Sequence, residues 1–162
     1  MKVNETDYAE RNKWESAIGK CFLSFGNVEY LLYNFHQFIS KDDAPRFISS
    51  LSLSKRTELL SELLNQHNFR ELDFSLIKID LDDTKKLSET RNLIAHNPLM
   101  FEFYESEPGA IKIVQTIVSI KNRGHKITLS ELDEFSEKAQ SLVDRLYKST
   151  RETMDLIRLL PR

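Results

Sequence analysis

Trp14, Ile18, Cys21, Phe25, Val28, Leu32, Phe35 and Ile39 recur at alternating intervals of four and three. That stripe predicts a long helix packed lengthwise in a bundle. Ala17, Phe22, Leu31 and Phe38 widen it, as in a helix touching more than one neighbour. Asp42-Asp43-Ala44-Pro45 ends this helix and supplies a cap, with a Pro tolerated in the next first turn. A second helical stretch is expected from about Pro45 to His67, broken near Ser49–Ser54, with Leu59, Leu60, Leu63 and Leu64 as its apolar face. A third helix is expected to start at Asp80 or Asp82 and to end at His96, because Asn97 precedes Pro98 and is biased out of helical geometry.

The pattern then changes. Met100–Tyr104 and Ile111–Ile120 are rich in aromatic and β-branched residues and flank Glu107-Pro108-Gly109-Ala110, where Pro then Gly suits a type II turn. This predicts a β-hairpin. A last helix begins after Thr128 or Ser130, with Glu131 or Asp133 placed for a capping box, and Leu132, Phe135, Ala139, Leu142 and Leu146 as its stripe. The expected fold is an all-α bundle of four or five helices, with a small β-hairpin inserted before the last long helix. Residues 1–162 are expected to form a single domain.

Composition narrows the function classes. The chain is 40% hydrophobic and 30% charged, without a low-complexity segment. The lone Cys21 excludes an internal disulfide and fits a reducing compartment. The polar start with Glu5, Asp7 and Glu10 is unlike a signal peptide, and no apolar run approaches the roughly 20 residues of a membrane span. A soluble, cytoplasmic protein without membrane contact is expected. The net charge of −2 confines any nucleic-acid contact to a local patch. One candidate is the loop Lys121-Asn122-Arg123-Gly124-His125-Lys126, which carries three cations and no acid. As bare composition, such a loop is most often a solvated turn.

The third helix holds the anomaly. Thr84, Leu87, Arg91, Ile94 and Pro98 fall on one stripe, so Arg91 stands where a hydrophobe belongs. An unpaired buried guanidinium is costly, so an anion must compensate. Either Glu29 of the first helix pairs with it, or the stripe faces a cleft that takes a phosphate. Asn92 and His96 are four apart and share a helix face, and imidazole is the side chain best matched to proton transfer near neutral pH. Tyr33 and His36 border the first stripe near Glu29; they read as flank residues, with a place in the lining of the same cleft as the alternative. The four histidines are scattered, and Gly19, Gly26, Gly109 and Gly124 are isolated. Neither a zinc site nor a phosphate-binding glycine loop is expected, and no cofactor is called for.

Arg91-Asn92-Leu93-Ile94-Ala95-His96 resembles the Arg-x(4–6)-His motif of HEPN domains, including the polar residue directly after the Arg. Phe25-Gly26-Asn27-Val28-Glu29 also resembles a pattern found in some HEPN-like proteins. The resemblance implies a helical bundle and metal-independent RNA cleavage, in the manner of toxin or phage-defence effectors. It implies His96 as acid or base, Arg91 as stabiliser of the charged transition state, and Asn92 as an orienting group. Lys121, Arg123 and Lys126 would bind substrate. A twofold homodimer would bring two motifs to one cleft, and a cognate antitoxin or other protein partner would regulate it. The alternative is a catalytically silent HEPN-like dimer that binds a protein or nucleotide. In a third reading, Arg91 pairs internally in a plain structural dimer.

Overall fold

The computed structural model describes residues 5–40, 48–65, 72–107 and 110–159. Helix α1 spans Glu5–Ser40, about 54 Å at 1.5 Å per residue. It starts well before Trp14, where i,i+3 and i,i+4 pairs take over from core contacts: Lys13–Glu10 at 3.1 Å and Arg11–Glu15 at 2.8 Å. A helical turn at residues 48–50 precedes α2, Leu53–Leu64, which is capped by Ser52. The break expected near Ser49–Ser54 is therefore present. The Asp42–Pro45 cap and the stretch to His67 lie outside the described residues.

Helix α3 spans Ser75–His96. Its start corrects the expectation of Asp80 or Asp82. The Ser75 N–H bonds to the Asp73 carboxylate at 2.9 Å, and Asp80 lies in mid-helix with its side chain buried. Asp80 serves tertiary structure, accepting a 2.6 Å hydrogen bond from Ser149. At the other end Asn97 adopts φ −127°, ψ 148°, ending the helix where Pro98 requires.

Strands β1 (Leu99–Glu107) and β2 (Ala110–Val118) form the expected hairpin, pairing Leu99 with Ile117 and Phe103 with Ile113. The chain is nonetheless not purely α. A two-residue strand β3, Lys126–Ile127, pairs with β2 and makes a three-stranded antiparallel sheet in the order β1-β2-β3. The Pro108-Gly109 turn lies outside the described residues. Helix α4 then runs Leu129–Arg158, capped by Thr128, whose side chain and Glu131 form the expected reciprocal capping box.

Long-range pairs set the layout. Cys21 meets Leu132 and Phe38 meets Arg158, so α1 and α4 run parallel. Asp80 meets Ser149 and Asp83 meets Arg145, so α3 is antiparallel to α4. Lys85 meets Glu58 and Lys78 meets Asn65, so α2 is antiparallel to α3. The core is the α1 stripe from Trp14 to Phe35 against Leu132, Phe135, Ala139, Leu142 and Leu146, joined by Leu60, Ile77 and Leu81. The Phe25 and Phe135 rings tilt together at 5.9 Å. Burying one large aliphatic or aromatic side chain contributes roughly 1.5–3 kcal/mol, so this seam dominates stability. Because α3 and α4 are antiparallel, the sheet joins them at one end of the bundle, the end carrying His96. Among the described residues, no helix is long and apolar enough to cross a membrane.

Candidate functional site

Arg91 lies at the edge of the α1–α3 seam, half-buried. Its guanidinium stacks over the Phe22 ring at 5.5 Å, and its Nη1 donates to Asn92 Oδ1 at 3.4 Å. The carboxylate of Glu29 approaches only once, at 4.0 Å from Nη2. That distance is at the limit of an ion pair and is not the bidentate bridge an internal pairing would use. The side chain keeps 31% of its surface open to solvent.

Arg91 and Asn92 open on a recess of about 380 Å³. Glu29 of α1 forms one wall and Phe25 its apolar floor, while Ser88 of α3 and Ser52, Ser54 and Arg56 of α2 close the other sides. α2 enters here because its antiparallel course over α3 carries its first turn to the level of Arg91. His96 does not line the recess. It is exposed in the last turn of α3, about 140° around the helix from Arg91. The motif is therefore split, with Arg91 and Asn92 together and His96 apart.

Sequence patterns missed Arg56 and misjudged His36. Arg56 sits among Lys55 and Thr57 on a short amphipathic helix and reads as an ordinary surface cation; only tertiary packing turns it inward. Its Nε is sealed from solvent with no hydrogen-bond partner. His36 is fully buried, not a flank residue. Its Nε2–H donates to the Arg56 carbonyl at 2.9 Å, fixing the neutral tautomer and leaving the Nδ1 lone pair without a donor. Burial holds its pKa at about 4; the Arg56 carbonyl opposes that shift and the Arg56 charge adds to it.

No family model, curated protein or solved structure matches the chain.

The basic loop is tied to the motif's end through Asn97, another residue whose role the sequence concealed. Asn97 Nδ2 donates to Leu93 O at 2.8 Å, and Asn97 Oδ1 accepts from Ile120 N–H at 2.8 Å. The turn that follows His96 therefore abuts Lys121. Lys121 and Arg123 are exposed in a tight turn, closed by His125 N–H to Asn122 O at 2.9 Å. Lys126 differs from them. It lies in β3, and its ammonium is bound to Glu102 at 2.6 Å; that hydrogen bond holds the carboxyl pKa down and the ammonium pKa up. Cys21 is buried, bonded to Leu132 O at 3.3 Å, and burial raises its thiol pKa, so it is packing rather than a nucleophile. Among the described residues, no three His, Cys, Asp or Glu side chains are placed to share a metal ion.

Proposed function

We propose that the chain is an HEPN-like endoribonuclease that cleaves RNA without a metal and acts as a twofold homodimer. The observation that carries this reading is Arg91, half-open beside Asn92 on a polar recess and lacking a bidentate partner. A guanidinium so placed suits a phosphate. In the proposed reaction an RNA 2′-hydroxyl attacks its own phosphorus, the 5′-oxygen leaves, and a 2′,3′-cyclic phosphate forms. His96 takes or gives a proton. Arg91 stabilises the charge that builds on the phosphoryl oxygens, and Asn92 orients them. One imidazole does not easily serve both the attacking and the leaving oxygen, so a second His96 from a symmetry mate completes the site.

The surface beside Arg91 supports such a dimer. Next to Phe22, α1 exposes Leu23 and Tyr30, with Gly19 and Gly26 on the same face and open space where their Cβ atoms would stand. Glycine in an exposed helix costs about 1 kcal/mol against alanine, and a closely packed partner helix would account for it. A cognate antitoxin would then act by covering this cleft or preventing dimer formation. The exposed position of His96, outside the recess, favours a second reading, a catalytically silent module that binds a nucleotide or a protein.

The deciding experiment is cleavage of single-stranded or loop RNA with a chelator present. Wild type should give products ending in a 2′,3′-cyclic phosphate and leave 2′-deoxy substrates intact. His96→Ala and Arg91→Ala should each abolish cleavage while retaining the helical circular dichroism and the dimer mass by light scattering. A monomer counts against the ribonuclease reading, and equal inactivity of wild type and His96→Ala on a broad RNA panel favours the second.

A further inference from the structure

We propose that the recess beside Arg91 is a subsite for the phosphate of a ribonucleotide and that Arg56 is its anchoring cation. Arg56 is half-buried, its Nε is sealed from solvent, and among the described residues its guanidinium has no carboxylate partner. The nearby acid of its own helix is already engaged: Glu58 binds Lys55 at 2.8 Å and Lys85 at 3.1 Å. A guanidinium whose Nε is shut off from water and left without an acceptor is costly, so the place is suited to a ligand that brings an anion.

Two further features converge on the same volume. Ser52, the N-cap of α2, and Ser54 in its first turn line the recess, and α2 is a full 12 residues long. The Ser52 hydroxyl accepts from the Lys55 N–H of that turn at 3.4 Å; the other first-turn N–H groups lack intrahelical acceptors and carry the positive end of the helix dipole, which favours an oxyanion. Across the recess, Glu29 would repel a bare anion but accepts a hydrogen bond from a hydroxyl. Phosphate at Arg56 with a sugar hydroxyl at Glu29 describes a ribonucleoside phosphate. A volume of about 380 Å³ is of the size that holds a small ligand. His96 lies about 7.5 Å along α3 from Arg91 and about 140° around it, so the recess would hold a nucleotide further along the strand than the one that faces His96; this last point rests on the ribonuclease reading, whereas nucleotide binding itself does not.

The test is calorimetric titration of the full chain with uridine 3′-phosphate, its 2′-deoxy counterpart and inorganic phosphate, at low salt. The ribonucleotide should bind more tightly than the deoxynucleotide, and both more tightly than phosphate alone. Arg56→Ala should weaken the ribonucleotide roughly tenfold or more, the scale of a lost charge-assisted hydrogen bond. Arg56→Lys should recover part of that loss. Should Arg56→Ala fail to fold, amide shifts of the wild type on adding the ribonucleotide should centre on Ser52, Ser54 and Ser88. No binding of any probe, unchanged affinity in a folded Arg56→Ala, equal affinity for ribo and deoxy forms, or shifts centred elsewhere overturns the proposal. A protein that binds by Arg56 yet cleaves no RNA refutes the ribonuclease reading alone. One that cleaves RNA with KM unchanged in Arg56→Ala refutes this inference alone.

Discussion

Toward α4, helix α3 presents Asp80 and Asp83 to Arg145; toward α1 and α2 it presents Arg91 and Asn92 to Glu29 and Arg56. Both flanks hold a solvent recess of similar size, about 400 Å³ and about 380 Å³. On the first, each cation has found an acid: Arg145 meets Asp83 at 2.8 Å, Lys86 meets Asp83 at 3.2 Å, and Lys138 meets Glu134 at 3.4 Å. On the second, Arg91 has a single 4.0 Å contact and Arg56 has none among the described residues. Similar volumes thus carry opposite meanings. A groove whose charges are satisfied internally reads as structure, and one whose guanidinium groups are weakly paired is the one proposed to take a ligand.

Acid should separate the two flanks first, and with the largest effect. His36 supports Arg56 from beneath and stays neutral when folded, with a pKa of about 4 against an ordinary 6.5. As pH falls through that interval, the unfolded chain takes up a proton that the native state refuses. Stability is therefore full above about pH 6.5 and falls towards pH 4, by about 3 kcal/mol at 1.36 kcal/mol per unit. On the other flank, the hydrogen bond from Arg145 holds the Asp83 pKa below its ordinary 3.8, so that contribution is lost only at lower pH. Urea midpoints between pH 7 and 4 should show the steep loss in wild type and a flat profile in His36→Gln. An unchanged slope in that variant would break the distinction.

Next comes Asp80. Its buried carboxylate accepts from Ser149 at 2.6 Å and faces Arg145 Nε at 3.5 Å. Asp80→Ala should cost about 2–3 kcal/mol, the worth of a hydrogen bond to a buried charge together with the donor left unpaired. A denaturation loss under 1 kcal/mol would mean that the closed flank is no more structural than the open one.

These two residues also mark the boundary of what sequence can say. The α1 and α4 stripes were legible because their spacing repeats over many turns, and the Thr128–Glu131 box was legible because capping is local. Arg91 was legible as a misfit on an apolar stripe. Asp80 was misread as a cap because its partner, Ser149, is 69 residues away. The Ile77, Leu81, Thr84, Ser88 spacing was the signal for an earlier helix start. Arg56 and His36 acquire meaning only when α2 crosses α1, and β3 is too short for any periodicity.

A smaller effect is expected where the open flank is cut. Arg91→Ala and Arg56→Ala should each leave stability within about 1 kcal/mol, since neither removes a well-made ion pair. Thermal denaturation of both variants beside Asp80→Ala makes the comparison direct. A loss of roughly 3–5 kcal/mol for Arg91→Ala would recast its long contact with Glu29 as a buried bridge and close the open flank.

The smallest effect on stability, and the sharpest probe of what the open flank is for, lies in the turn beside it. Lys121 and Arg123 are exposed, whereas Lys126 is bound to Glu102 at 2.6 Å. Lys121→Glu with Arg123→Glu should shift stability by no more than about 0.5 kcal/mol, as for surface positions without partners. If RNA runs from the recess past His96, the turn held against Asn97 by Ile120 lies along its way. The double reversal should then weaken RNA binding and flatten its dependence on salt, because fewer counterions are released. Lys126→Ala should leave the salt slope nearly unchanged, since its charge is already answered within the protein. Fluorescence anisotropy of a labelled oligoribonucleotide between 50 and 200 mM salt, about the range over which phosphate contacts tell, separates the cases. Equal slopes for wild type and the double reversal would remove the turn from the RNA path and confine recognition to the recess.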